Sequence, residues 1–179
     1  MIGLKRGTVK LLPHQEAWSQ NAEKIIGILK QLLGNIAVDI QHVGSTAVVA
    51  IQAKPIIDIA AGVWDLSEVL PYIETLEQHG FIFRGEDVPG QLLFVMGDFE
   101  NDTRTHHIHV VKWNSTAWNN YINFRDYLNA HPEKAMNYDV CKQRLALQFP
   151  NDRNRYTSGK QKLIECLLIE AGAWKSQAQ

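Results

Sequence analysis

The sequence predicts an α+β fold, an α/β mixed sheet with helices packed on it, followed by a helical C-terminal third. Three observations predict it. Strand-like segments, some alternating apolar and polar, some continuously apolar, recur as far as Lys112. Two helical stretches lie between them. After Asn114 only helical periodicity remains. At 179 residues the chain reads as a single domain over 1–179, with a sheet-containing core at 1–113 and a helical part at 114–179.

The elements follow in order. Residues 8–12 form a short edge strand ended by Pro13. Trp18, Ala22, Ile25, Ile26, Leu29, Leu32 and Leu33 recur at helical spacing, so 15–33 is an amphipathic helix, and Gly34 is placed to cap it. Residues 36–43 alternate as a strand. Residues 55–63, dense in β-branched and small apolar side chains, form a buried central strand. Asp65-Leu66-Ser67-Glu68 starts a helix whose inner face is Val69, Ile73 and Leu76, ending near His79-Gly80. Phe81-Ile82-Phe83 is a strand, 85–90 a loop, 92–96 a strand, 97–103 a polar turn and 107–112 a strand. Helices follow over 116–129, 132–147 and 157–172, with Pro132 suited to a first turn.

Composition narrows the partners. Hydrophobic residues make up 45% and charged residues 21%, with a formal net charge of −1. That balance is ordinary for a globular protein and gives no electrostatic footprint for nucleic acid, so no nucleic-acid partner is expected. No apolar run is long enough to span a bilayer, and Met1 to Arg6 lack the apolar segment of a signal peptide. Cys141 and Cys166 show no metal or redox spacing and read as small buried hydrophobes. Such sparse cysteine use fits a reducing cytoplasm, so a cytoplasmic location is expected.

Chemistry concentrates where one strand turns and the next begins. In His42-Val43-Gly44-Ser45-Thr46, glycine permits close backbone approach, and Ser45 and Thr46 add hydroxyl donors beside exposed amides. Such a turn either holds phosphate oxygens or is a plain turn. Asp58 then interrupts an apolar strand. A carboxylate there needs a partner, either a structural tie to Lys54 or a histidine, or a bound cation.

His106, His107 and His109 fall within four positions of one strand. The pleat sends His107 and His109 to one face, about 7 Å apart, and His106 to the other. If that strand lies beside Asp58, one carboxylate and two imidazoles suit Zn²⁺, Mn²⁺ or Fe²⁺ rather than Mg²⁺. The alternative is histidines bonded to backbone or carboxylates. On the helical third, Arg144 and Lys162 read as solvated, Trp118 is a candidate for stacking, and Arg125 sits among Tyr121, Phe124 and Leu128.

Five motifs in order carry a resemblance over nearly the whole chain. They are His42 to Val48, Ala53 to Ile59, Arg104 to Val111, Phe124 to Leu128 with Ala130-His131-Pro132, and Tyr156 to Lys160. Together they resemble the GrpB family, within the nucleotidyltransferase superfamily. The resemblance implies a nucleotidyltransferase-like fold and a small-molecule nucleotide or phosphorylated ligand. It implies a divalent metal, Mg²⁺ or a transition metal, at Asp58, His107 and His109, which would also be the catalytic residues. Gly44, Ser45, Thr46, Lys54, Arg125 and Lys160 would contact substrate or phosphate. The implied activity is nucleotidyl transfer. Alternatives are a non-catalytic ligand-binding module of the same fold, or a hydrolase using histidine-bound metal. Three positions depart from the pattern: Ala60 stands where the superfamily places its second carboxylate, Gln41 where glutamate is common, and Val49-Ala50 where Pro-Gly is common.

Overall fold

The computed structural model describes residues 1–177. Five strands form the main sheet: β2 (Ala37–Val43), β3 (Ile57–Val63), β4 (Ile82–Val88), β5 (Gln91–Met96) and β7 (His106–Lys112). Their order is β2-β3-β7-β5-β4. Only β3 and β7 run parallel; the other neighbours are antiparallel. A small ribbon pairs β1 (Leu4–Lys5) with β6 (Thr103–Arg104).

Strand alternation divides the side chains between two layers. Ile57, Ile59, Ala61 and Val63 of β3 join Ile108 and Val110 of β7 under helix α1 (Glu16–Leu33) and the short helix α2 (Ile73–Gln78). The opposite face carries Val43, Ala60 and Val111 beneath Trp118. Trp118 belongs to α3 (Thr116–Ala130), which packs with α4 (Pro132–Gln148) and α5 (Arg153–Gln177). Burial on both faces explains why β3 is nearly all apolar. Gly62 is small for a steric reason: a Cβ there would lie 2.8 Å from Trp113 and 3.0 Å from Trp118.

The expected helices and central strands are present, with several corrections. Residues 8–12 form no strand: Val9 N–H donates to Pro150 O, and Leu12 makes a single bridge to Ala53. Their backbone groups are satisfied by the helical third and by a loop, not by a sheet edge. The helix expected from Asp65 does start there, with Asp65 accepting from Ser67 N–H. It runs as a 3₁₀ turn over Leu66–Tyr72, however, because in an α-helix the ring of Pro71 inside it would clash with the carbonyl of Ser67. The loop expected at 85–90 is mostly strand: β4 continues to Val88 through two register shifts. Helix α5 starts four residues earlier than expected, at Arg153, because Asp152 accepts from Arg155 N–H and caps it. The cysteines are not buried as expected. Cys141 is half-buried and Cys166 is exposed, on the solvent side of α5. Among the described residues, no helix is long and apolar enough to cross a membrane.

Candidate metal and phosphate site

The parallel pairing of β3 with β7 sets Asp58 opposite His107 and Ala60 opposite His109. All four therefore face the helical layer. His107 Nδ1 donates to Asp58 Oδ1 at 3.2 Å, and His109 Nε2 donates to the same oxygen at 3.3 Å. Burial opposes the charge on Asp58, but the hydrogen bonds and charge of His107 and His109 outweigh it and hold the carboxyl below its ordinary range. The Asp58 side chain is 29% exposed, so the cluster opens outward. His106 points to the other face, where its Nε2 bonds Asn21 Oδ1 at 2.7 Å.

The three ligand atoms lie within 4.8 Å of one another. Ligands about 2.05 Å from a tetrahedral metal are separated by roughly 3.3 Å, so the two N···O separations leave room for such an ion. The donor set, two imidazoles and one carboxylate, suits a transition metal better than Mg²⁺. Tyr121 of α3 stacks on the His109 ring with centroids 5.0 Å apart, and its hydroxyl donates to Gln91 Oε1 at 2.7 Å. These contacts hold the imidazole plane. The Nδ1 of His109 is buried and has no partner among the described residues.

Gly44 closes β2 with φ 70° and ψ −169°, a conformation open essentially to glycine alone. Its missing side chain matters as well: a Cβ would lie 2.7 Å from Asp58 Oδ2. Ser45 begins a single 3₁₀ turn, Ser45–Ala47, and lines the cleft. Thr46 does not. It is buried and shares a 2.9 Å hydrogen bond with His42 Nε2. Burial pushes His42 down to about 4, with Arg125 and His14 adding to the effect and Asp58 opposing it, so the ring is neutral near neutral pH.

A cleft of about 240 Å³ runs from Asp58 and the two histidines to Lys54, Arg153, Tyr156 and Lys160. The ammonium groups of Lys54 and Lys160 lie 5.4 and 5.0 Å from the Tyr156 ring centre. Burial pushes Lys54 down to about 7, helped by the charges of Lys160 and Arg153 and opposed by Asp58. Among the described residues, no carboxylate lies within ion-pairing distance of these three cations. Such a cluster has the charge and spacing to suit an anion. A second chamber of about 400 Å³ adjoins it across Ser45, Asp58 and Lys160, with Tyr121, Phe124, Tyr138, Ile164 and Leu168 in its wall.

The structure thus brings together Gly44, Ser45, Lys54, Asp58, His107, His109 and Lys160. It does not bring Arg125 to the cleft wall. That guanidinium donates to Gln41 Oε1 and to His42 O, each at 2.9 Å, and pairs with Asp126 at 2.8 Å. Gln41 therefore engages Arg125 without a charge. Trp118 is buried with its ring 4.7 Å from that of Trp113, as core rather than stacking platform. Arg144 and Lys162 are exposed, as expected. Arg153 was missed at the sequence level. It had a signal, since Arg153, Tyr156 or Thr157, and Lys160 recur at helical spacing on one face of α5.

A mixed sheet with Gly-Ser at the end of one strand, an aspartate on the next and a helical C-terminal part is a nucleotidyltransferase-like fold. It is shared with Cid1, solved in complex with its short product ApU: TM-score 0.53 and 12% identity, over 75% of this chain and 42% of that one. The chain belongs to the GrpB family, described as GrpB protein, which it matches over residues 8–169. It is 39% identical over 173 residues to the Glutamate-rich protein GrpB of Alkalihalophilus pseudofirmus, covering 95% of this chain and 99% of that one. The crystal structure of the conserved protein GrpB from Enterococcus faecalis superposes with a TM-score of 0.84 at 30% identity, over 90% of this chain and 96% of that one.

Proposed function

We propose that this protein binds a nucleotide or another phosphorylated small molecule, with a divalent transition metal held by Asp58, His107 and His109, and that from a nucleoside triphosphate it transfers the nucleotidyl group to an acceptor hydroxyl with release of pyrophosphate. The observation that carries the reading is the opening of the Asp-His-His cluster onto the same cleft as Lys54, Arg153 and Lys160, cations without an ion-pair partner among the described residues.

Each residue has a task in this scheme. Lys54, Arg153 and Lys160 gather phosphate oxygens, and the arriving anion restores the full charge of Lys54. The Ser45 hydroxyl donates to an oxygen between them and the metal ligands. The adjoining apolar chamber takes the organic part of the ligand. When bound, the metal supplies a Lewis acid that neutralises phosphate charge and favours in-line attack on phosphorus. Asp58 and the two imidazoles hold it, and Tyr121 keeps His109 in plane.

A thermal-shift screen with nucleoside triphosphates and Mn²⁺, Zn²⁺ or Mg²⁺ tests the reading. A ligand at about 100 times its Kd adds about 2.7 kcal/mol, which for a chain of this size raises Tm by roughly 5–10 °C. The rise is expected with metal present and absent in Asp58→Ala. If no nucleotide shifts the melting temperature with any metal, and Asp58→Ala alters stability alone, the reading fails.

One observation favours a second reaction at the same site. Ala60 is fully buried, which leaves a single carboxylate beside two imidazoles, a donor set also suited to metal-assisted phosphoester hydrolysis. Product analysis separates the two. Transfer gives an acceptor–nucleotide adduct, whereas hydrolysis gives the free phosphate or monophosphate.

A further inference from the structure

Helix α4 contributes an ion pair that the proposed chemistry does not use. The side chains of Asp139 and Lys142 are only 6% and 1% exposed, and their charged atoms are 3.5 Å apart. Burying such a pair is costly, and apolar side chains of similar volume would pack α4 as well or better. Their hydrogen bonds indicate what the pair does. Asp139 Oδ1 accepts from Gln52 N–H at 2.8 Å. Lys142 Nζ donates to Gln52 O. Both backbone groups of one loop residue are thus held by one helix. The next residue, Ala53, is held from the other side, exchanging N–H···O bonds of 2.9 and 2.8 Å with Leu12. Lys54 follows directly.

We propose that Asp139 and Lys142 are positioning residues for the cleft: by gripping the Gln52 peptide they fix the strap 52–54 so that the Lys54 ammonium stays beside Arg153 and Lys160. The proposal rests on the reading of Lys54 as a phosphate contact. The physical reasoning is geometric. Three like charges repel one another, and a lysine on a free loop would swing into water. Lys54 instead stays half-buried against the Tyr156 ring, with its ammonium shifted in the direction that burial and two neighbouring cations impose. Pinning two successive peptides removes the backbone freedom through which the side chain would escape.

The variant Asp139→Leu/Lys142→Met tests this: it removes both the acceptor for Gln52 N–H and the donor to Gln52 O without leaving a lone buried charge, and Lys142→Met alone serves as a second variant. The first readout needs no ligand. Lys54 acylation by an amine-specific reagent is followed by peptide mass spectrometry across pH, since only the neutral amine reacts. The wild-type midpoint is expected near 7, and in the folded variants it should rise by about one pH unit or more toward the ordinary lysine value. An unchanged Lys54 profile in folded variants overturns the proposal. The second readout is pyrophosphate affinity in a double-mutant cycle with Lys54→Met. Loss of the grip should weaken binding about fivefold or more in the wild-type background and less than about twofold in Lys54→Met. Equal losses in both backgrounds also overturn it. If the wild type binds no pyrophosphate but the acylation midpoint moves, the positioning role stands and the phosphate reading is the part that fails.

Discussion

Gly44→Ala tests the geometry on which the site depends. The backbone there has φ 70° and ψ −169°, and the new Cβ would meet Asp58 Oδ2 at 2.7 Å and Asp58 Cβ at 3.0 Å. The conformation alone costs an L-residue about 1–3 kcal/mol. The contact adds a second effect, because Asp58 Cβ is fixed in β3 and cannot retreat. Its carboxylate must turn away from His107 and His109, or β2 must shift. Against a total stability of about 5–15 kcal/mol the variant should still fold, with a Tm lowered by roughly 2–10 °C. The assay is urea denaturation of metal-free protein, paired with Mn²⁺ or Zn²⁺ titration by calorimetry. Gly85→Ala is the control, since Gly85 also has positive φ, 82°, but no atom of the described residues lies within 4 Å of a Cβ built there. Gly85→Ala should be strained yet bind metal normally, whereas Gly44→Ala should lose at least tenfold in metal affinity. Equal affinities in the two variants, or a Gly44→Ala stability loss below about 0.5 kcal/mol, would refute the reasoning.

Three further outcomes follow from the packing. Burial outweighs the attraction of Asp139 and pushes Lys142 down to about 8, below its unfolded value, so between about pH 8 and 10.5 the unfolded chain holds the extra proton. The sign is therefore positive: the contribution of Lys142 to stability is lowest below pH 8 and rises with pH through that window, on the order of 3 kcal/mol relative to Lys142→Met. Urea midpoints at about pH 7.5 and pH 10.5 check it, and parallel pH profiles for the two proteins would count against it. Gly62→Ala forces a methyl group into the Trp113–Trp118 contact and should cost about 1–3 kcal/mol, read by urea denaturation and by the tryptophan fluorescence of the native state. Tyr121→Phe removes the hydroxyl that donates to the buried Gln91 Oε1 and should cost about 1–2 kcal/mol while keeping the ring stacked on His109, so metal affinity should fall far less than in His109→Ala.

The fold was legible where local pattern and tertiary environment agree. The apolar period of 15–33 is also the buried face of α1, which packs chiefly on the sheet strands β2 and β3. The run of 55–63, apolar apart from Asp58, reads as central because both its faces are covered. Legibility failed where the deciding contact is remote in sequence. Residues 8–12 have a strand-like composition, yet their partners are Ala53 and Pro150, which no local window contains. Residues 157–172 read as the last helix, yet α5 starts at Arg153, because its cap is supplied further upstream by Asp152. Cys166 was misjudged because α5 is apolar around most of its circumference near that turn, which hides the direction of its solvent face.

The site was legible in its residue types and less so in its directions. Alternation along β7 assigns His107 and His109 to one face, and the parallel register with β3 turns that face toward Asp58. Thr46 and Arg125 depended instead on how a turn and a helix are rotated, which spacing does not encode. The same register explains why Ala60 leaves no gap. It lies opposite His109, with no exposed surface, against Val43, Val111 and Trp118. A carboxylate at that position would lie within an apolar layer, with the charge buried. His109, opposite Ala60, instead reaches Asp58 from the neighbouring strand. The chemistry open to this cleft follows from that arrangement: one carboxylate whose charge is sustained by two imidazoles, facing three cations that pair with no carboxylate among the described residues.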